Sequence, residues 1–176
     1  MNIRRLEQSD AVEYRALMLE AYAFHPDAFT SSASERAALP LSWWQSRLQQ
    51  KPQAAELVLG AFHDDQLAGV AGLSFEPREK ARHKATLFGM YVPSSFRRLG
   101  FGHQLVQAVL AEAKLRSGVK IVQLTVTHGN RGAQALYEKC GFVEFGLEPF
   151  AVAVGEKFIS KVHMWCNVGA IDARQA

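Results

Sequence analysis

The sequence has little of what marks the specialised protein classes. It has two cysteines, Cys140 and Cys166. That excludes a disulfide scaffold, and a reducing cytoplasm fits best. No apolar run approaches the ~20 residues needed to span a bilayer. The opening MNIRRLEQSD carries charge but no apolar stretch, so no secretory signal is expected there. Charge of one sign is scarce too. The 20 Lys and Arg against 17 Asp and Glu leave a formal net charge of +3. That is weak support for a nucleic-acid partner and suits a small anionic ligand equally well. No internal repeat or low-complexity segment is present. The six histidines lie 20 or more residues apart, which excludes a helix-borne metal pair, and no metal is expected. There is no Gly-x-Ser-x-Gly elbow, since Gly72-Leu-Ser74-Phe ends in Glu76.

What remains is ordinary globular material, 48% hydrophobic and 21% charged over 176 residues. A chain of this size buries about 70% of its unfolded surface, enough for one core. A single domain over 1–168 with a tail at 169–176 is expected. Asn2 to Leu6 reads as a strand. Asp10 followed by Glu13 resembles a capping box opening a helix to about Phe24. His25 to Ser34 reads as a loop, and Leu41 to Gln50 as a second helix. Glu56 to Phe62, Leu67 to Phe75 and Lys84 to Val92 read as strands, the first two forming a hairpin. The period then changes: Leu105, Val106, Val109, Leu110 and Ala113 share a helical face. Val119 to Thr127 alternates as a strand. Ala133, Leu136, Tyr137 and Cys140 mark another helix. Phe142 to Glu148 and Glu156 to Trp165 close the chain as strands. This is a mixed α/β domain with a parallel crossover around Gly100 to Gly118.

The segment from Met90 to Leu105 is the most informative. A strand ends near Val92, Arg97 and Arg98 follow in a loop, and Gly100 and Gly102 stand at the mouth of an amphipathic helix. A helix N-terminus offers free N–H groups and a positive dipole end, and glycine lets an anion approach closely. The chemistry this suits is diphosphate binding. The third glycine of a dinucleotide fingerprint and the Gly-Lys-Ser/Thr of a P-loop are both missing.

Arg97-Arg98-Leu99-Gly100-Phe101-Gly102 resembles the Arg/Gln-x-x-Gly-x-Gly/Ala signature of the GNAT-type N-acetyltransferase superfamily. Asn130-Arg-Gly-Ala133-Gln-Ala-Leu136-Tyr137-Glu-Lys-Cys-Gly141-Phe142 is similar to the second half of that signature. The resemblance implies a mixed, mostly antiparallel, seven-stranded splayed sheet flanked by about four helices and clamping acetyl-CoA. It implies that the backbone of Met90, Tyr91 and Val92 pairs with the pantetheine arm. The amides of Arg98, Leu99, Gly100, Phe101, Gly102 and His103, beside Arg97, would hold the diphosphate. Asn130 would lie near the pantetheine, doubling as a helix N-cap, and Tyr137 near the thioester sulfur.

Acetyl transfer to an amine needs a neutral nitrogen, a polarised carbonyl and a proton for the departing thiolate. Tyr137 is the candidate donor. Many relatives place a glutamate in the strand before the glycine turn, but Ala85-Thr-Leu-Phe-Gly-Met90 holds no acid. A water relay, Glu148 or a histidine is left as base. The acceptor is expected to be a small-molecule or peptide amine, chosen by the segment Phe24 to Arg36 together with the closing hairpin near Glu148. Phe29, Glu35 and Glu148 are candidate contacts, and Glu35, Asp27 and Glu148 are the anions available to draw in a cationic amine. Trp43-Trp44 reads as core and rim packing, with a wall of the acceptor pocket as the alternative. Neither a nucleic-acid nor a membrane partner is expected, and a monomer or a homodimer fits. The rival reading is a catalytically silent acyl-CoA-binding sensor.

Overall fold

The computed structural model describes residues 2–169. Its strands are β1 (Asn2–Arg5), β2 (Glu56–His63), β3 (Gln66–Phe75), β4 (Lys84–Tyr91), β5 (Ile121–Thr127), β6 (Val143–Val154) and β7 (Lys157–Asn167). They form one sheet in the order β1-β2-β3-β4-β5-β7-β6. Every neighbouring pair is antiparallel except β4 and β5. The helices are α1 (Ala11–Phe24), α2 (Ala33–Ala37), α3 (Leu41–Ser46), α4 (Phe101–Leu115) and α5 (Arg131–Lys139). This is the mixed seven-stranded sheet expected. Five helices replace the expected four or so, because α2 lies in and beyond the end of what reads as loop. The expected tail lies outside the described residues apart from Gly169. Its N–H donates to the Lys120 carbonyl at 3.1 Å and to Asn167 Oδ1 at 3.0 Å.

Some boundaries differ for local reasons. Asp10 does precede α1, but its side chain does not cap it. The carboxylate instead accepts from the Glu7 N–H at 2.7 Å and from both guanidinium nitrogens of Arg4 at 2.7 and 2.8 Å. α3 ends at Ser46, four residues short of the expected Gln50. The closing strands run longer than expected and form a hairpin from Val143 to Asn167.

Two apolar clusters lie on the two faces of the sheet. α4 and α5 cover one, with Phe101, Leu105, Val106, Val109 and Tyr137 against Leu57, Leu59, Leu73 and Leu87. α1 and α3 cover the other, with Tyr14, Met18, Ala21 and Trp44 against Leu6, Val58, Val70 and Tyr91. Alternation along β4 explains part of this division, and a bulge explains the rest. Phe88 to Tyr91 in β4 stands opposite only Val70 to Gly72 in β3. The added residue falls at Gly89, whose φ of +59° suits glycine. Beyond it the faces exchange. Ala85 and Leu87 join the α4 side, whereas Tyr91, of the same parity, joins the α1 side.

Parallel pairing of β4 with β5 covers only Lys84–Ile121, Ala85–Val122 and Thr86–Gln123. Past Thr86 the two strands diverge. The chain between α1 and α2 closes over the gap, held by Lys161 of β7. This lysine is 5% exposed. Its ammonium donates to the carbonyls of Asp27 (2.8 Å) and Ala28 (2.9 Å) and to Thr127 Oγ1 (3.1 Å). Lys161→Met would leave the Ala28 carbonyl without this donor and the Asp27 carbonyl with only the Thr127 hydroxyl, at 2.9 Å. It should destabilise the protein by about 1–3 kcal/mol in chemical denaturation and make the chain near Asp27 cleavable by protease. Unchanged stability and cleavage would show that this anchor carries no weight.

Candidate active site

Two cavities meet where β4 and β5 part. The outer one is a groove of about 610 Å³. Its walls include His25, Asp27, Met90, Tyr91, Val92, Arg97, Arg98, Gly100, Gly102, His103 and Asn130. The inner one, of about 340 Å³, lies between the diverging strands, bounded by Thr86 to Met90 and Thr125 to Thr127, and by Tyr14, Met18, Tyr22, Arg36 and Arg47. Ala28, Phe29, Met90, Asn130, Ala133 and Tyr137 belong to both.

The groove is built for an anion by its backbone. Gly100 caps α4 with φ +86°, with no side-chain cap and no acid in the first turn. A Cβ at Gly100 would meet nothing within 4 Å, so conformation alone demands glycine there. Arg98 also has positive φ, +66°, a position that costs a non-glycine residue about 1 kcal/mol or more. Alternating backbone of this kind turns N–H groups toward one concavity. Gly102 serves packing instead: a Cβ there would lie 3.1 Å from Leu136 Cδ2 and 3.3 Å from Met90 Cε.

The side chains of the glycine turn divide by role. Phe101 is core at 1% exposure, leaving only its backbone for a ligand. Leu99 is 55% exposed and does not line the groove. Arg97 is already engaged, donating from Nε to the Val92 carbonyl at 3.1 Å and from Nη2 to His25 Nε2 at 2.9 Å. It braces the turn against the end of α1. Arg98 makes no hydrogen bond or ion pair among the described residues and is the freer cation. Tyr91 points away, its hydroxyl donating to Glu20 Oε1 at 2.8 Å. Asn130 accepts from the Ala133 N–H at 3.2 Å and so caps α5.

Tyr137 stands on α5, one turn after Ala133, in contact with Phe142. Its hydroxyl donates to Met90 Sδ at 3.4 Å, at the junction of the cavities. Burial pushes its pKa up to about 12. Met90 reaches this place because the bulge at Gly89 turns it onto the α4 side.

Of the three expected acceptor contacts, only Phe29 lines the cavities. The Glu35 carboxylate accepts from the Ser32 N–H at 2.8 Å, closing the N-terminus of α2. Glu148 lies beside His163, carboxylate to Nε2 at 2.8 Å. Neither lines either cavity. Trp44 is fully buried against Tyr14, as packing predicts. Trp43 backs the inner cavity without lining it, with the guanidiniums of Arg36 and Arg47 resting 4.7 and 4.8 Å from its ring. Arg36 ends the segment expected to choose the acceptor but was not singled out within it, and Arg47 lies outside that segment. Nothing in their local sequence marks them, because only the packing of α2 and α3 on α1 brings them to one cavity.

The Acetyltransferase (GNAT) family model matches residues 15–142. The chain belongs to the GNAT acetyltransferase family. Its fold is shared along nearly its whole length. An acetyltransferase of this family from Streptococcus pneumoniae is 26% identical, with a TM-score of 0.84 over 96% of this chain and 99% of that one. A ribosomal-protein-alanine N-acetyltransferase from Brucella melitensis is 24% identical, with a TM-score of 0.78 over 95% and 99%. A Salmonella typhimurium protein solved with acetyl-CoA is 19% identical, with a TM-score of 0.78 over 98% of each chain. The chain is thus an enzyme of acetyl-CoA-dependent acetyl transfer. Both cysteines are free and buried. Among the described residues no helix is long and apolar enough to cross a membrane, and no cluster of three or more metal-ligating side chains occurs.

All four tyrosines are held protonated by burial. Tyr14, Tyr91 and Tyr137 are pushed up to about 12, and Tyr22 is raised as well. The unfolded chain releases these protons near pH ~10. The native state holds them more tightly, so their contribution to stability is complete below pH ~10 and is lost as pH climbs through about 12. Ultraviolet difference absorbance at pH ~10 should show little tyrosinate in the native protein and about half ionisation in denaturant. A native titration centred near pH ~10 would contradict this burial.

Proposed function

We propose that the chain moves an acetyl group from acetyl-CoA to a primary amine by direct attack, with the groove holding the cosubstrate and the inner cavity the acceptor. The observation that carries this reading is the shared wall of the two cavities, with the Tyr137 hydroxyl in it. The α4 N-terminus, with Gly100, Gly102 and His103 and the charge of Arg98, fits a diphosphate. The edge of β4 from Met90 to Val92 fits an extended pantetheine arm, because β5 leaves that edge unpaired beyond Thr86. A backbone N–H of this edge is positioned to polarise the thioester carbonyl.

In the transfer, the amine nitrogen bonds to the carbonyl carbon and the carbon–sulfur bond breaks. Nitrogen loses one proton and sulfur gains one. Tyr137 is directed at sulfur already, in its bond to Met90 Sδ. With its pKa near 12, outright donation to a thiolate of reference pKa about 8.5 is uphill. Its role is to hydrogen-bond the departing sulfur, passing a proton only as one arrives from the nitrogen. No Asp, Glu or His lines the inner cavity, so the amine must shed its proton to water. The rate should therefore rise about tenfold per pH unit until the acceptor amine is neutral. No alkaline fall from Tyr137 should occur below pH ~11.

Arg98→Glu, which reverses the free cation of the groove, should weaken acetyl-CoA binding by about tenfold or more in calorimetry while circular dichroism stays native. Unchanged affinity would sink the groove assignment. Tyr137→Phe keeps the ring and should lower kcat by about 10²- to 10⁴-fold with little change in the acetyl-CoA KM. Wild-type turnover would make the tyrosine structural.

A further inference from the structure

The charges around the inner cavity point the opposite way from the acids expected at an acceptor site. Its wall contains two guanidiniums, Arg36 and Arg47, and no carboxylate. Arg47 is compensated, since its Nη2 lies 3.1 Å from Glu56 Oε2. No carboxylate pairs with the Arg36 side chain among the described residues, and its guanidinium meets the Tyr22 hydroxyl instead. Its Nε is buried without a partner, and its guanidinium rests on the Trp43 ring at 4.7 Å and lies 6.0 Å from the Tyr22 ring. The nearest acid in sequence, Glu35, turns its carboxylate to the Ser32 N–H and does not line the cavity. Two cations beside one indole, with one carboxylate between them, leave an unbalanced positive charge facing a cavity of about 340 Å³.

A buried donor without an acceptor is costly, and so is a guanidinium partly withdrawn from water with no carboxylate paired to it. A bound anion would answer both. A polyamine, or any acceptor that is cationic throughout, would meet repulsion here. The same cavity is lined by Tyr137, where the attacking nitrogen must arrive, and by the apolar and aromatic side chains of Met18, Phe29 and Phe88. We infer that the acceptor is an amino acid, an amine that carries its own carboxylate, with the carboxylate bound by Arg36 and an apolar side chain against Met18, Phe29 and Phe88. Arg36 presents a planar fork suited to a carboxylate, while Arg47, tied to Glu56, adds field.

This inference rests on the acetyl-transfer reading above, and the experiment separates the two. Acetyl-CoA binding is first measured by calorimetry. Thiol release is then followed with matched triples: phenylalanine, phenylalanine amide and phenethylamine, the corresponding leucine and methionine sets, and spermidine. Each free acid should exceed its two neutral-ended analogues by about tenfold or more in kcat/KM for at least one side chain. Arg36→Gln should lower kcat/KM for that acid by about 10- to 100-fold, mainly through KM. It should bring the acid-to-amide ratio near one and leave the acetyl-CoA affinity alone. Arg36→Lys should recover part of the ratio. Preference for amides, decarboxylated amines or spermidine overturns the inference and leaves acetyl transfer standing. Failure of every free acid to be used, or an equal loss on acid and amide in Arg36→Gln, overturns it too. Failure to bind acetyl-CoA overturns both readings. The wild-type preference is read without any variant, so a misfolded Arg36→Gln does not shelter the idea.

Discussion

Everything at this site depends on the place where β4 and β5 stop pairing. Three residue pairs, ending at Thr86–Gln123, hold the two parallel strands together before they part. The helices that follow these strands, α4 and α5, therefore begin at the same opening, outside the carboxyl ends of β4 and β5. That is the crevice where an α/β sheet places its ligands. The caps at Gly100 and Asn130 both face it. A sheet paired to its end would close the inner cavity and leave only a surface groove. The backbone lost to pairing on one edge becomes the backbone available to a ligand.

The bulge at Gly89 determines what fills that opening. Without the added residue, Met90 would keep the parity of Phe88 and Tyr91 that of Leu87. Tyr91 would then point into the α4 side and could not reach Glu20. Instead Met90 meets the Tyr137 hydroxyl, and Tyr91 ties β4 to α1. One backbone irregularity therefore aligns the reactive junction and fastens the helix that walls the acceptor side.

The cofactor half could be read from sequence because its chemistry is local. A strand, two arginines, two glycines and an amphipathic helix follow one another within a short run, and Asn130 to Phe142 does likewise. Each side chain's role depends on near neighbours. Even so, nothing within that run shows that Arg97 is held by Val92 and His25, leaving Arg98 as the freer cation. The proposed acceptor side was legible only as a segment, Phe24 to Arg36, because its parts converge only in the fold. Arg36 lies on a five-residue helix that reads as polar loop. Arg47 ends α3, and Lys161 reaches the 25–32 segment from the far end of the chain. Glu35 and Glu148 looked like ligands because sequence shows charge and hides what already holds it. In the structure a helix N-terminus has taken one and a histidine has taken the other.

The division of the core into two clusters bears on how such a protein changes over generations. Residues that pack α4 and α5 share few neighbours with those that pack α1 and α3, and distant, unshared sites contribute to stability almost additively. Substitutions can accumulate around Tyr14, Met18, Tyr22, Arg36 and Arg47 while the diphosphate turn keeps its shape. On the proposed reading the acceptor side is a replaceable module, and selection for a new amine would act on it without relearning how to hold the acetyl donor. The halves are tied through β2 and β3, which supply Leu57 and Leu73 to one cluster and Val58 and Val70 to the other, and through Met90 and Tyr91 of β4. Those are the positions where such drift is most tightly constrained.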